Sequence, residues 1–251
     1  LPKLVKNEAL ILRRFRHGDS SLIIHAFTRE NGKVPFIAKG ARAGGKKPPV
    51  PLVPIVLLEM IWAPSTKSEL QLLREWSLLE SFGPIHKDFE KMAWAQAALE
   101  ILGRTLIPNE PHETLFDEIL DFFEVLGHVD NRYENLLLRF KLKTLKETGY
   151  EIDFSETDKI KTNCHFIPSE GRFIESKSSN YGIVVQAGTL RSLSAISKTP
   201  YSEINRLRLS GNLSKEINTV LNAAFRNAFD RWRDLESLKL LDPGFFDEKN
   251  V

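Results

Sequence analysis

Five short extended runs in the first eighty residues, a change to helical spacing at Gly83-Pro84 and a loss of periodicity near residue 151 set the expectation for the fold. They predict an α+β multidomain chain. A small N-terminal β-barrel, residues 1–80, is followed by a C-terminal α-helical domain, residues 81–251, with an irregular insertion at about 151–186.

The strands come first. Glu8 to Arg16 contains the apolar run Ala9-Leu10-Ile11-Leu12, Ser20 to Thr28 reads SSLIIHAFT, and Gly32 to Lys39 reads GKVPFIAK. Asn31-Gly32 between the last two is a hairpin signal, because both residues tolerate positive φ. The loop ARAGGKKPP after Gly40 is too rich in Gly, Lys and Pro to pack. Val53 to Trp62 and Glu69 to Leu78 supply the fourth and fifth runs, although Leu70, Leu72 and Leu73 would also suit a helix. Five short strands with an irregular middle loop fit an OB-fold.

Helical spacing follows. His86 to Leu106, Glu113 to Leu126 and Asn131 to Thr148 carry apolar residues at three- and four-residue intervals, with Pro108 and Pro111 breaking the first gap and Gly149 placed to cap the third helix. Helical signals return at Thr189 to Ser197, Tyr201 to Arg208 and Ser214 to Leu235. No stretch approaches the length of a membrane span, and the opening residues lack the apolar run of a secretory signal, so a cytoplasmic protein is expected. Cys164 is the single cysteine, which leaves no internal disulfide and no multi-cysteine metal cage.

The formal charge of +2 conceals an asymmetry. Residues 1–50 hold eleven Lys and Arg against three Asp and Glu, an excess of +8, so the other 201 residues carry −6. A basic segment joined to an acidic remainder points to a polyanion at one end and other partners elsewhere. Nucleotide-binding, metalloprotease and serine-hydrolase signatures are absent, and the six histidines are dispersed without metal spacing. No catalytic constellation and no cofactor are therefore expected. His25 is expected as a partly buried barrel residue rather than a base, and Phe27 and Phe36 as barrel core rather than stacking platforms.

Binding has positive evidence. Arg13, Arg14, Arg16, Lys33, Lys39, Arg42, Lys46 and Lys47 interleave with Phe15, Phe27 and Phe36, the pattern of a single-stranded nucleic-acid surface. Lys39, Arg42, Lys46 and Lys47 flank Gly40, Gly44 and Gly45, which would let the loop follow a phosphate backbone closely. An RNA-binding barrel uses the same groups, and a scaffold whose basic face meets an acidic protein is a further alternative.

The stretch LRRFRHGDSSLIIHAFTRENGKVPFIAKGAR, Leu12 to Arg42, resembles the RecO family of bacterial recombination mediators: it is similar to the family's arginine–tyrosine–glycine–acid opening, its FT…GK turn and its AKGAR signature. RWRDLESLKLL, Arg231 to Leu241, is similar to the family's closing helix. The resemblance implies an N-terminal OB-fold, a C-terminal helical domain and a non-enzymatic role in the RecF pathway. It implies binding of single- and double-stranded DNA, annealing of complementary strands, and work with RecR in loading RecA onto DNA coated by single-strand-binding protein, whose tail the helical domain would hold. It places the activity at the bacterial nucleoid, with Lys39, Gly40 and Arg42 as the matching motif positions. Many relatives carry a four-cysteine zinc module. Here the corresponding insertion, Asp158 to Gly182, retains only Cys164, so packing by Phe166, Ile167, Phe173, Ile174 and Tyr181 is expected to replace the metal. Ser21 and Ala43 also depart from the motif, which more often has an acid and a second arginine there.

Overall fold

The computed structural model describes residues 4–42, 50–175, 181–230 and 232–241. Five strands, β1 (Val5–His17), β2 (Ser21–Thr28), β3 (Gly32–Ala38), β4 (Leu57–Ala63) and β5 (Gln71–Glu80), form a closed barrel in the order β1-β2-β3-β5-β4. All neighbours are antiparallel except β3 and β5, which pair in parallel and close the OB-like barrel. Alternate residues of each strand point inward. Ile24 and Ala26, Val34 and Phe36, and Met60 and Trp62 fill the interior, with Phe36 and Trp62 edge to face at 5.1 Å.

β1 departs from alternation for two reasons. Its first half is buried on both faces, because α2 packs against the strand from outside while Ala9 and Ile11 face the barrel core; Leu10 and Leu12 are buried as well. That explains the continuous apolar run. A bulge then falls between Ile11 and Arg13. Before it the odd-numbered side chains face inward. After it Arg14 and Arg16 stand opposite the inward-facing Ile24 and Leu22, while Arg13 and Phe15 stand opposite His25 and Ile23 on the outer face.

The fourth expected strand begins later than Val53. Ile55 is in the left-handed region, φ 62°, and its carbonyl meets His86 Nε2 at 3.0 Å, so the chain turns before it can pair. The fifth run, ambiguous in sequence, is a strand.

The helices are α1 (Gly83–His86), α2 (Phe89–Thr105), α3 (Glu113–His128), α4 (Tyr133–Glu147), α5 (Ala187–Lys198), α6 (Tyr201–Ile204), α7 (Gly211–Ala228) and α8 (Glu236–Lys239). The Asp88 carboxylate caps α2 by accepting from the amides of Glu90 and Lys91. At the end of α4, Gly149 N–H donates to Lys146 O and Tyr150 N–H to Leu145 O, with Gly149 at φ 85°. These are the two bonds of a Schellman cap, and the positive φ is why glycine stands there. The last long helix stops at Ala228, short of the expected Leu235. The amide of Trp232 bonds Phe229 O, and the indole stacks on Phe225 with centroids 4.1 Å apart, a contact that a continuing helix would break.

The chain divides into two compact units, one running to Gly127 and resuming at Leu235, the other His128–Asp234. In the first, the buried Glu100 of α2 accepts from the amides of Glu236 and Ser237 and from the Ser237 hydroxyl, which ties α8 to α2. The second holds α4 to α7 and a small sheet of order β7-β6-β8, made of β6 (Asn163–Ile167), β7 (Arg172–Glu175) and β8 (Ile183–Gln186). Of the two readings that the lost periodicity allows, irregular or short-stranded, the insertion takes the second. Phe166 and Phe173 are buried with rings 5.0 Å apart, Phe154 stacks on Phe173, and Ile167 is buried, whereas Tyr181 is exposed and Ile174 half-buried. No described helix is long and apolar enough to cross a membrane.

Candidate nucleic-acid interface

The bulge in β1 sorts the predicted cations into two sets. At the mouth of the barrel, Arg14, Phe15, Arg16, Leu22, Ala41, Arg42, Pro51 and Leu52 line a cavity of about 370 Å³, so Phe15 borders this opening as well as the outer face. Arg14 Nη1 donates to Leu52 O at 3.1 Å, which fixes the guanidinium over the rim. Arg42 Nη2 donates to the carbonyls of Gly18 and Asp19 at 3.1 and 2.7 Å, while its own amide bonds Ser20 O at 2.8 Å. The chain leaving β3 is therefore strapped to the β1–β2 turn. Gly40 makes that geometry possible: it lies at φ 70° with nothing within 4 Å of an added Cβ. Arg16 is exposed beside them. Three guanidinium groups around one opening have the donors and charge to hold an anion of extended shape.

On the outer face, Arg13 is exposed and opposite His25, and Lys39 continues the outward alternation of β3. His25 is half-buried; burial, then Lys33 and Arg13, push its pKa down, so the imidazole is neutral at physiological pH. The Phe15 ring, half exposed, meets it edge to face at 5.8 Å.

Lys33 stands apart from both sets. Its ammonium donates to Gly103 O at 3.2 Å, and burial, with Arg13 nearby, lowers its pKa. Arg29, another cation of the same stretch, is committed to packing: it pairs with Glu8 at 2.7 Å and Asp117 at 2.5 Å, and lies over the Phe116 ring. Phe36 is buried in the barrel core, as expected; Phe27 is also fully buried, but outside that core, against Phe116 of α3. Lys46 and Lys47 lie outside the described residues.

The parity shift after Leu12, which separates mouth cations from face cations, leaves no mark in the sequence. The exposure of Phe15 leaves a partial one: Arg14 and Arg16 flank it, whereas no cation flanks the buried barrel-strand residues Phe27 and Phe36, although the helical Phe140, between Arg139 and Lys141, is buried.

The described residues do not supply the donor set of a zinc module. Among the described residues no three of His, Cys, Asp and Glu gather, and Cys164 is buried in β6, its thiol pushed up to about 11 by burial and by Glu216. The residues present do not fit the metal that the resemblance associates with this insertion.

Comparison with known proteins agrees with this architecture. Residues 3–82 match the family described as Recombination protein O N terminal, and residues 86–236 match Recombination protein O C terminal. A DNA repair protein RecO of Syntrophus aciditrophicus is 25% identical over 248 residues, covering 94% of this chain and 95% of its own length. The protein of the same name from Clostridium acetobutylicum is 24% identical, covering 87% and 90%, and that from Chlorobium phaeobacteroides is 30% identical over 59% of this chain and 57% of its own. With both halves matched across the barrel and the helical region that follows it, the chain belongs to the RecO family.

Proposed function

We propose that this protein acts in DNA repair and recombination as a non-enzymatic mediator that binds DNA through its barrel. The observation that carries the reading is the grouping of Arg14, Arg16 and Arg42 at the barrel mouth, within a segment of net charge +8. Cations at that density lower the repulsion between two phosphate backbones and release counterions when they bind. Annealing of complementary strands then requires charge neutralisation and proximity, with no covalent step. The acidic remainder, −6 in all, would repel DNA and leave its surface to protein partners. RecR and the acidic tail of single-strand-binding protein are the partners proposed, and loading of RecA onto coated single strands is the outcome they serve. The family membership and the names of the relatives support this reading.

The test is annealing of complementary strands coated with single-strand-binding protein, with and without RecR. Annealing that falls with salt, and is lost when Arg14, Arg16 and Arg42 are replaced by Glu in a folded protein, is the expected result. A purified protein that binds neither single- nor double-stranded DNA at low salt would overturn the proposal and favour a protein-interaction scaffold. Competition between matched DNA and RNA strands distinguishes the RNA-binding alternative.

A further inference from the structure

The outer face of the barrel carries an apolar row that crosses four strands. Phe15 of β1 is opposite Ile23 of β2, Ile23 is opposite Ile37 of β3, and Ile37 pairs with Leu72 of β5. The core-facing neighbours Leu22, Phe36 and Leu73 are buried, whereas in the row Phe15 is 50% exposed and the other three are half-buried. At strand spacing the row runs about 14 Å. An apolar row aligned on the outer side of four strands lies outside the barrel core, and where it is open to solvent, at Phe15 above all, it can meet a ligand.

Charge flanks the row on both sides. Arg13, one pair along β1 and β2, stands beyond it in one direction, and Lys39, past the end of β3, stands beyond it in the other. His25, opposite Arg13, meets the Phe15 ring edge to face at 5.8 Å. Apolar centre and cationic borders complement a ligand that has flat apolar faces and an anionic thread. Unpaired nucleobases on a phosphate backbone have that form, and four-stranded sheets that bind single-stranded RNA stack two or three bases in this way. A duplex has its bases stacked on one another and cannot offer their faces. We infer that the row Phe15–Ile23–Ile37–Leu72 receives unpaired bases, with Phe15 as the stacking residue, and thereby selects single strands over duplex.

The inference rests on the proposed DNA binding and deepens it. The arginines of the barrel mouth supply affinity for either form of DNA. The row supplies the preference for bases that are free.

The experiment compares wild type, Phe15→Leu and Phe15→Tyr on three labelled probes: oligothymidylate, an abasic oligomer of the same length and charge, and a duplex. Wild type binds oligothymidylate better than the abasic oligomer by about five- to tenfold, the lower range for a stacking contact. Phe15→Leu loses that margin while its affinity for the abasic oligomer and the duplex is unchanged, and Phe15→Tyr keeps it. Circular dichroism shows that the exposed substitutions leave the barrel folded. Equal loss by Phe15→Leu on all three probes, or no loss on any, overturns the inference and leaves DNA binding standing. Lack of binding by wild type to every probe at low salt overturns both. Unchanged binding of oligothymidylate together with lost capture of a protein partner by Phe15→Leu assigns the row to protein docking and also overturns it.

Discussion

Arg42 Nη2 donates to the backbone oxygen of Asp19 at 2.7 Å, and to that of Gly18 at 3.1 Å. One guanidinium edge is thus spent on holding the exit of β3 against the β1–β2 turn, within a cavity also lined by Arg14 and Arg16. The residue has a structural and an electrostatic task together, and substitutions separate them. Arg42→Lys keeps the charge but loses the fork that reaches two carbonyls. Arg42→Ala loses both. Arg42→Ala is expected to weaken DNA binding at low salt and to reduce the slope of log affinity against log salt by about one. Arg42→Lys is expected to keep the slope. Denaturant titration should show each variant losing no more than about 1 kcal/mol, since the bonds are exposed to water. An unchanged slope for Arg42→Ala would remove Arg42 from the interface.

Gly32 and Gly40 are both in the left-handed region, at φ 65° and 70°, yet they are not equivalent. A Cβ on Gly32 would lie 2.0 Å from the backbone oxygen of Glu110, in the segment whose Asn109 amide bonds Lys33 O; a Cβ on Gly40 meets nothing within 4 Å. Gly40→Ala carries only the backbone penalty, about 1 kcal/mol. Gly32→Ala adds a clash with main chain that cannot rotate away, and is expected to cost about 3 kcal/mol or more. Equilibrium unfolding of the two variants side by side checks the difference. Equal losses would show that the Pro108–Glu110 segment yields.

Gly32 also illustrates how far the sequence reaches. Asn31-Gly32 reads as a hairpin because positive φ is a local property; the approach of Glu110 is set by tertiary packing and has no local signal. The same division recurs. Barrel strands were legible in the alternation of residues such as Ile24, Ala26, Val34 and Phe36, and the cap at Gly149 in the glycine itself. The late start of β4 depends on His86 meeting Ile55 O, and the early end of α7 on Trp232 reaching Phe225, and neither is periodic. For the interface, the sign and density of charge were legible. Their partition was not, because one inserted residue at the β1 bulge decides which of Arg13 and Arg14 faces the mouth, and because Lys33 is drawn toward Gly103.

Lys141 is buried in α4, its ammonium 3.3 Å from Asn218 Oδ1, and Asn218 in turn donates to Glu134, as does Ser214. Burial lowers its pKa to about 8 against the opposing pull of Glu134 and Asp234. The unfolded chain therefore holds a proton on this lysine that the folded chain releases between about pH 8 and the ordinary lysine value near 10.5. Stability from this group is lowest below pH 8, where the ammonium is charged in both states, and rises as pH passes from about 8 towards 10.5. The rise is on the order of 3 kcal/mol. Lys141→Met is expected to abolish it, and to be at least as stable as wild type at pH 7 because no charge remains to bury. Denaturation of both proteins across that pH range, read as the difference between them, cancels the other titrating groups. Parallel pH profiles would show that the ammonium is solvated.

The insertion tests whether aromatic packing alone holds a segment in which the family resemblance would place zinc. Phe166 and Phe173 are buried on neighbouring strands with Phe154 stacked behind them, and Cys164 beside them is a small apolar side chain with a high thiol pKa. Phe166→Ala is expected to cost about 3–5 kcal/mol, the range for a fully buried phenylalanine. Chelators are expected to leave the thermal midpoint unchanged, and Cys164→Ser to act only through the burial of a hydroxyl, about 1–3 kcal/mol. Cys164 should react with a thiol reagent slowly when folded and quickly in denaturant, since both burial and the raised pKa suppress the thiolate. Metal analysis and the unfolding curves decide together. One tightly bound zinc per chain, with a midpoint that falls on chelation, would mean that donors outside β6 to β8 converge on Cys164 and that the phenylalanines are secondary.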